Sequence, residues 1–548
     1  MALVWAAILA AIGWFYFKFK DVGSREPNLP PGPPTTPLLG NLGVFPKEFA
    51  YVRFTQWARI WGGIYSLKLG PDTAIVITDA SAIKELMDKR SQNTSDRPPN
   101  FINDIVTGGL NMALARYGED WRTLRRAAHA ILTPQMSAKH IPIQYAEATQ
   151  LLFDILRTPD VRRYSNSVIM SVLYGKRCPR YETPETTAFF AAQHEWELLH
   201  EPGATPPLDL LPFLQRVPER LAKWKAEAKQ CRKHQRDLYF GLLDKTKKQL
   251  QKGKENGCYM EEVIRHQKEF GMDREMIGYL GGILLEGGSD TTSSFLQSMV
   301  LAMIAFPGAQ KKAQEELDRV VGSHRLPTLD DLSDLPYIRA IIQETHRFRP
   351  VTPLMIPHAN ITPEEVRVLL CNVATKLSPD LQYKGYLIPG GTTIFVNIWG
   401  IFHDPELFEK PEVFNPDRYI LNEFGTKPGV DGSDLRANLA FGCGRRICPG
   451  IHLARNTINL NTMQLLWAFT FSYATDPKTG ELIDVNVNDY KKGIVIGPCP
   501  FKALITPRSS ETIAIIEREF HEATDTFSKF EFGLSKEDKV FLENYRSQ

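Results

Sequence analysis

The densest chemistry in this chain lies at residues 441–450, Phe-Gly-Cys-Gly-Arg-Arg-Ile-Cys-Pro-Gly. Gly442, Gly444 and Gly450 surround Cys448 and let the backbone turn tightly and approach a flat group closely. A helical-looking run, Ile451 onward, follows directly. A thiolate at a helix amino terminus is stabilised by unpaired N–H groups and by the helix dipole. Arg445 and Arg446 add cationic donors suited to carboxylates. The chemistry open to an electron-rich thiolate of this kind is iron ligation, where it favours O–O cleavage. Two blander readings compete. Cys443, Cys448 and His452 form a C-x4-C-x3-H cluster, but a closed zinc site needs a fourth ligand and none follows. Cys443 alone reads as core packing.

A second concentration lies at residues 272–306, which hold no proline before Pro307. As one helix this segment runs roughly 50 Å. It is apolar nearly all round, which predicts a path through the centre of the protein. Two glycine pairs interrupt it, Gly281-Gly282 and Gly287-Gly288. Each glycine costs about 1 kcal/mol against alanine in a helix interior. Close helix packing is one explanation. The second pair, however, runs straight into Ser289-Asp290-Thr291-Thr292. A carboxylate and hydroxyls inside an oily helix carry a desolvation cost, so a use is expected for them.

These segments need a frame. A chain of 548 residues corresponds to about three to five domains or one unusually large fold. No composition break, repeat or second linker follows residue 46, which favours one large, mostly helical domain. Helical periodicity is clear at 120–133, 219–250 and 310–320, and strand-like segments are short: Ile64–Leu69, Ala74–Thr78 and Thr393–Val396. With 43% hydrophobic and 23% charged residues, a disordered chain, a collagen and a multi-span membrane protein are excluded. A net charge of +2 argues against a nucleic-acid-binding face. Seven cysteines are too sparse for a disulfide scaffold and fit a reducing compartment. Residues 2–17 carry no charge and precede Lys18 and Lys20. Basic residues after rather than before the apolar run favour a retained anchor, with the body on the cytoplasmic side, over a cleaved signal. Residues 29–37 follow as a proline-rich, stiff, extended spacer.

Five motifs occur in order: Trp121-x-x-x-Arg125, Gly287-Gly288-Ser289-Asp290-Thr291-Thr292, Glu344-x-x-Arg347, Phe414-Asn415-Pro416-Asp417-Arg418, and the Cys448 segment. Together they resemble the cytochrome P-450 family, whose haem-binding signature F-G-x-G-x-R-x-C-x-G is matched at every fixed position. The likeness spans about residues 1–508 and is nearest to fungal membrane-bound members of secondary metabolism. It implies a mainly α fold with small β-sheets and a long central helix over haem. The implied organisation is an anchor at 1–20, a hinge at 21–45, a catalytic domain at 46–508 and an extension at 509–548 without catalytic role.

The resemblance also implies roles. Cys448 is the axial ligand of the iron of haem b, and Phe441 shields it. Trp121, Arg125 and Arg446 bind haem propionates. His358 is a further propionate partner, the alternative being a histidine satisfied at the surface. Asp290 and Thr291 form an acid–alcohol pair beside the O2 site, in a helix locally opened at Gly287–Gly288. Glu344, Arg347 and Arg418 form a buried structural triad. The implied reaction is insertion of one oxygen atom from O2 into an apolar organic substrate, by hydroxylation or epoxidation. Apolar stretches at 101–114, 279–285, 351–355 and 493–495 are the substrate-facing candidates. No G-x-G-x-x-G unit is present, so electrons come from NADPH through a separate reductase, with Arg122, Arg126 and Arg445 as candidates for its docking face. The expected location is the endoplasmic reticulum membrane. A haem-thiolate isomerase or dehydratase is the alternative. One departure stands out: residues 361–380 intervene where connections usually take about 2–6 residues. This is either a surface insertion or retained untranslated sequence, which would give an inactive product.

Overall fold

The computed structural model describes Trp5 and residues 21–157, 161–201, 203–361 and 381–547. Apart from Trp5 and Ile361, the expected anchor at 1–20 and insertion at 361–380 lie outside the described residues. Among the described residues no single helix is long and apolar enough to cross a membrane.

The long helices are α1 (Ala50–Trp61), α2 (Glu119–Ile131), α3 (Ile141–Ile155), α4 (Val161–Tyr174), α5 (Pro184–His200), α6 (Lys223–Gln251), α7 (Arg274–Ala305), α8 (Pro307–Val320), α9 (Pro336–Phe348), α10 (Ile451–Ala468), α11 (Ser510–Glu522) and α12 (Lys536–Arg546). The strands are β1 (Ile64–Leu69), β2 (Asp72–Ile77), β3 (His358–Ala359), β4 (Leu381–Tyr383), β5 (Tyr386–Ile388), β6 (Thr393–Val396), β7 (Phe469–Tyr473) and β8 (Ala503–Pro507). The main sheet has the order β1-β2-β6-β3. β1 and β2 form an antiparallel hairpin, β6 joins β2 in parallel, and β3 closes the sheet antiparallel with His358 opposite Ile394. A parallel pairing requires a crossover, and here most of the helical body lies between the paired strands.

α7 is the axis of that body, as its apolar sequence predicts. Asp273 caps its start by accepting the Met276 N–H at 2.8 Å. Pro307 then opens α8, bent from α7 by 106°. α4, α6, α9 and α10 pack around α7. Four of its glycines admit neighbours where a Cβ would collide, Gly278 against the Phe240 ring at 2.5 Å among them. At Gly281 the Cβ would lie 2.3 Å from Tyr174 Oη, at Gly282 2.3 Å from the Tyr239 ring, and at Gly288 2.5 Å from Ile169. At Gly287 a Cβ meets nothing within 4 Å. Close packing therefore accounts for the first pair and half of the second.

The proline segment is not a free spacer. Pro30 and Pro31 carbonyls accept from Ser66 Oγ and N–H at 2.6 and 2.8 Å, which straps the segment to β1. A Cβ at Gly32 would lie 2.1 Å from the Ser66 carbonyl oxygen. The carboxy-terminal extension is likewise part of the body. Ile516, Phe520 and Phe527 are fully buried, and Phe520 stacks on Phe153 of α3 at 4.1 Å. Beneath them Arg177 binds Glu147 at 3.0 Å and Glu531 at 2.9 Å, and Arg163 binds Glu147 at 2.9 Å and Asp154 at 2.6 Å.

Candidate active site

Cys448 lies in the loop leading into α10, whose first helical residue is Ile451 after the cap residue Gly450. The loop is held from both ends. The Cys448 N–H donates to the Phe441 carbonyl at 2.8 Å. Gly444 N–H donates to Asp88 at 2.8 Å, and φ of +58° with a Cβ position 2.1 Å from the Met87 carbonyl restricts position 444 to glycine. Burial pushes the Cys448 thiol up, opposed by the Gly450 N–H and the Arg125 guanidinium. The Phe441 ring packs edge-on to His346, with centroids 5.2 Å apart. Cys443 is buried 3.9 Å from the Met355 sulfur and is core. Among the described residues no group of three His, Cys, Asp or Glu side chains could hold a metal ion, so the zinc alternative has no partner set there.

Next to this loop, arginines gather without carboxylates. Arg446 donates to the carbonyls of Ser95, Met112 and Ala115 at 2.8, 3.2 and 2.7 Å, and its guanidinium lies 4.1 Å from the Trp121 ring centre. Arg97 donates to the carbonyls of Ala113, Ile356 and Pro357 at 2.8, 2.6 and 2.8 Å. Arg125 donates to the Ile447 carbonyl, and to His129 at 2.8 Å. Burial pushes the three pKa values down, to about 8 for Arg446, about 9 for Arg97 and about 10 for Arg125, and repulsion between Arg97 and Arg446 adds to it. Asp96 is the nearby anion, and Arg116 engages it at 2.6 Å. The cluster therefore carries an excess of buried positive charge, and such charge is stable only when paired.

His358 joins the same cluster and is buried, so the surface alternative does not hold. Its Nδ1 lies 2.8 Å from the Thr94 carbonyl, which can only accept. Burial and the Arg97 guanidinium hold its pKa well below the ordinary value. The neutral ring thus carries its proton on Nδ1, and Nε2 offers a carboxylate no donor. Arg97 is the residue that sequence reasoning missed. Ser95-Asp96-Arg97-Pro98 has no periodicity and reads as an ordinary loop.

α7 supplies the opposite wall. Ile277–Gly282 are buried, and so are Thr292–Leu296, yet Ile283, Leu284, Glu286, Gly287, Asp290 and Thr291 between them are exposed or partly exposed. Accessible surface between two buried stretches of a central helix marks space beside its middle. α7 remains helical through Gly287–Gly288, and the opening there comes from a missing side chain. The Thr291 hydroxyl donates to the Gly287 carbonyl at 2.7 Å. Asp290 faces Glu197 of α5, whose pKa is raised by burial and then by the Asp290 charge. Ser289, on the buried side, accepts from Asn166 of α4 at 3.2 Å. Of the substrate-facing stretches, 351–355 is tied to the residue after 493–495 by the Ile496 N–H to the Val351 carbonyl at 2.8 Å.

Glu344, Arg347 and Arg418 meet behind the Cys448 loop. Arg347 grips Glu344 bidentately at 2.7 and 2.8 Å, and Arg418 Nε reaches the same carboxylate at 3.1 Å. Asn415 N–H completes the set at 2.7 Å, and Arg347 also donates to the Phe402 carbonyl at 2.7 Å. All three charged side chains are buried and none opens on the cavity.

Comparison with known proteins agrees with this arrangement. The family described as Cytochrome P-450 matches residues 30–484. The chain is 42% identical over 515 residues to a cytochrome P-450 monooxygenase of Armillaria gallica, covering 93% of this chain and 95% of that one. It is 37% identical over 518 residues to the cytochrome P-450 monooxygenase patI of Penicillium expansum, covering 93% and 94%. A solved zebrafish cytochrome P-450 structure with progesterone has a TM-score of 0.66 at 25% identity, over 84% of this chain and 99% of that one. The chain belongs to the cytochrome P-450 family, the haem-thiolate monooxygenases.

Proposed function

We propose that Cys448 is the axial thiolate of haem b, and that Arg97, Arg125 and Arg446, with Trp121, hold its propionates. The observation that carries this reading is the cluster of buried guanidiniums beside the Cys448 loop that among the described residues find carbonyls but no carboxylate of their own. Two propionates are the counter-charge such a cluster fits. His358 becomes a donor to them only when doubly protonated, which their negative charge would favour.

Bound haem supplies O2 activation, with one oxygen atom entering the substrate and the other leaving as water. The chain's own groups prepare that step. Thr291 has its hydroxyl beside the cavity, held by the Gly287 carbonyl. Asp290 stands one residue away, and an acid–alcohol pair of this kind can pass protons inward from solvent. Gly287 leaves the space a small ligand needs. Phe441 and the Cys448 N–H contact keep water from the thiolate. Glu344, Arg347 and Arg418 fix the chain behind the loop.

Electrons come from NADPH through a separate reductase. Arg122 and Arg445 flank the Tyr117 ring at 5.9 Å each, and Arg126 is exposed one turn on from Arg122. They suit an acidic docking partner. The apolar residues 2–17 act as an endoplasmic reticulum anchor with the body in the cytoplasm. The likeness to fungal monooxygenases points to oxidation of a secondary metabolite.

The test is the absorption spectrum of the dithionite-reduced full chain with carbon monoxide. A strongly red-shifted Soret band is expected, and Cys448→Ala abolishes it. An unchanged spectrum in that variant overturns the thiolate assignment. Reductase-dependent substrate oxidation under O2 separates oxygenation from isomerisation or dehydration.

A further inference from the structure

Glu286 is a carboxyl group in the wall of a cavity whose other lining was expected to be apolar. It stands one helical turn before Asp290, on the same face of α7. It is partly exposed, as is Asp290, while the turns on either side are buried. Ile283 and Leu284 beside it are also partly exposed, so Glu286 stands next to apolar surface.

The carboxyl is held in place. Tyr239 of α6, itself 2% exposed, donates its hydroxyl to Glu286 Oε1 at 2.6 Å. The Tyr239 ring is fixed in turn, because it packs where a Cβ on Gly282 would sit. Asn111, 4% exposed, is fixed nearby by accepting the Ala113 N–H on Oδ1 at 3.0 Å. A buried donor from another helix thus orients the carboxyl at the cavity edge. A group of this cost, at a site lined by hydrocarbon, is a device for selectivity: a buried acceptor left unmatched penalises ligands that lack a donor.

We propose that Glu286 is the specificity anchor of the substrate cavity, accepting a hydrogen bond from a hydroxyl on an otherwise apolar substrate. This rests on the monooxygenase reading and deepens it by naming the substrate class. The helix rise puts Asp290 about 6 Å further along α7. The anchored hydroxyl is therefore held away from the reacting end, and the oxidised carbon lies elsewhere in the molecule. Burial and the neighbouring Glu197 raise the Glu286 pKa to about 7, which suits a carboxyl that accepts from a neutral hydroxyl and binds no cation.

The test uses the haem-loaded full chain and two ligands of one skeleton, 1-adamantanol and adamantane. Binding is read from the haem spin-state shift, and separately from thermal stabilisation, which does not depend on the iron. The wild type is expected to prefer the alcohol by on the order of ten- to a hundredfold, the range of a hydrogen bond to a charged group. Glu286→Leu removes that preference while holding or improving the affinity for adamantane. Glu286→Gln, which retains an acceptor of the same shape, keeps part of it. Tyr239→Phe weakens it by leaving the carboxyl mobile. An alcohol-to-hydrocarbon ratio that is the same in wild type and Glu286→Leu, or no preference in the wild type by either readout, overturns the proposal. If Glu286→Leu does not fold, the Gln ratio decides on the same terms. The reduced carbon monoxide spectrum of each variant reports the haem-thiolate reading independently, so the two failures are distinct.

Discussion

Two groups of buried arginines sit in the same helical body. Near the carboxy terminus, Arg163 and Arg177 are matched by Glu147, Asp154 and Glu531. Beside the Cys448 loop, Arg97, Arg125 and Arg446 reach only carbonyls and one histidine. Residue type and burial are alike in the two places. The difference is where the counter-charge resides: in the first group the chain provides it, and in the second a ligand must. A buried cation whose anion is covalently part of the chain is architecture, and one whose anion is not is a binding site.

The largest break in this contrast is expected from Glu147→Ala. It takes one of two carboxylates from each of two buried guanidiniums and should cost about 3–5 kcal/mol in urea unfolding, equally for the haem-loaded and haem-free chain. Arg97→Met should act the other way round. The haem-free chain should unfold at the same or a higher urea concentration, because an unpaired buried charge is gone. Haem release to an apo-globin acceptor should quicken by a factor matching about 1.5–3 kcal/mol. Equal losses of apo-protein stability in the two variants would erase the distinction. Next come the adjacent glycines of α7. Gly288→Ala drives a methyl into Ile169, 2.5 Å away, and should destabilise by about 1–3 kcal/mol. Gly287→Ala meets open space and should gain up to about 1 kcal/mol of helix propensity while narrowing the room for O2, seen as slower carbon monoxide rebinding.

The smallest effect is a pH slope. Burial raises the Glu286 pKa from 4.5 to about 7, so its ionisation costs stability above the unfolded value, and that cost is relieved as pH falls from 7 toward 4.5. Glu147 is shifted the opposite way: burial is outweighed by Arg177 and Arg163, and its pKa lies below 4.5. The stability that it contributes is lost only below that pH. Glu286→Gln should therefore flatten the melting-temperature profile between pH 4.5 and 7, and leave the acid limb unchanged.

What could be read from the chain alone follows the same division. The Cys448 segment and Glu344-x-x-Arg347 were legible because their chemistry is local: spacing along one loop or one helix face settles who meets whom. Arg97 was not, because its neighbours arrive from residues 356–357 and 446. The apolar run 272–306 announced a central helix, and the observed bounds Arg274–Ala305 differ only at the caps. Gly287 and Gly288 could not be told apart, since neighbouring helix positions point about 100° from one another and only the fold says which faces a wall. The segment 509–548 read only as an extension without catalytic role, and nothing local to it says that α3 would cover its apolar face. Glu286 lay unremarked in an apolar stretch, because a single carboxylate carries no period.

The salt link between Arg177 and Glu531 spans 354 residues. During synthesis at about 5–20 residues per second, Arg177 emerges roughly 20–70 s before its partner exists. For that interval the nascent chain holds Glu147, Arg163 and Arg177 in a half-built arrangement with Phe153 uncovered. α3 and α4 therefore complete their charge set and their apolar cover only after residue 531 has been made. A premature stop or frameshift within residues 509–548, far from every haem-facing residue, then acts as a folding defect, because it removes Glu531 and the cover of Phe153.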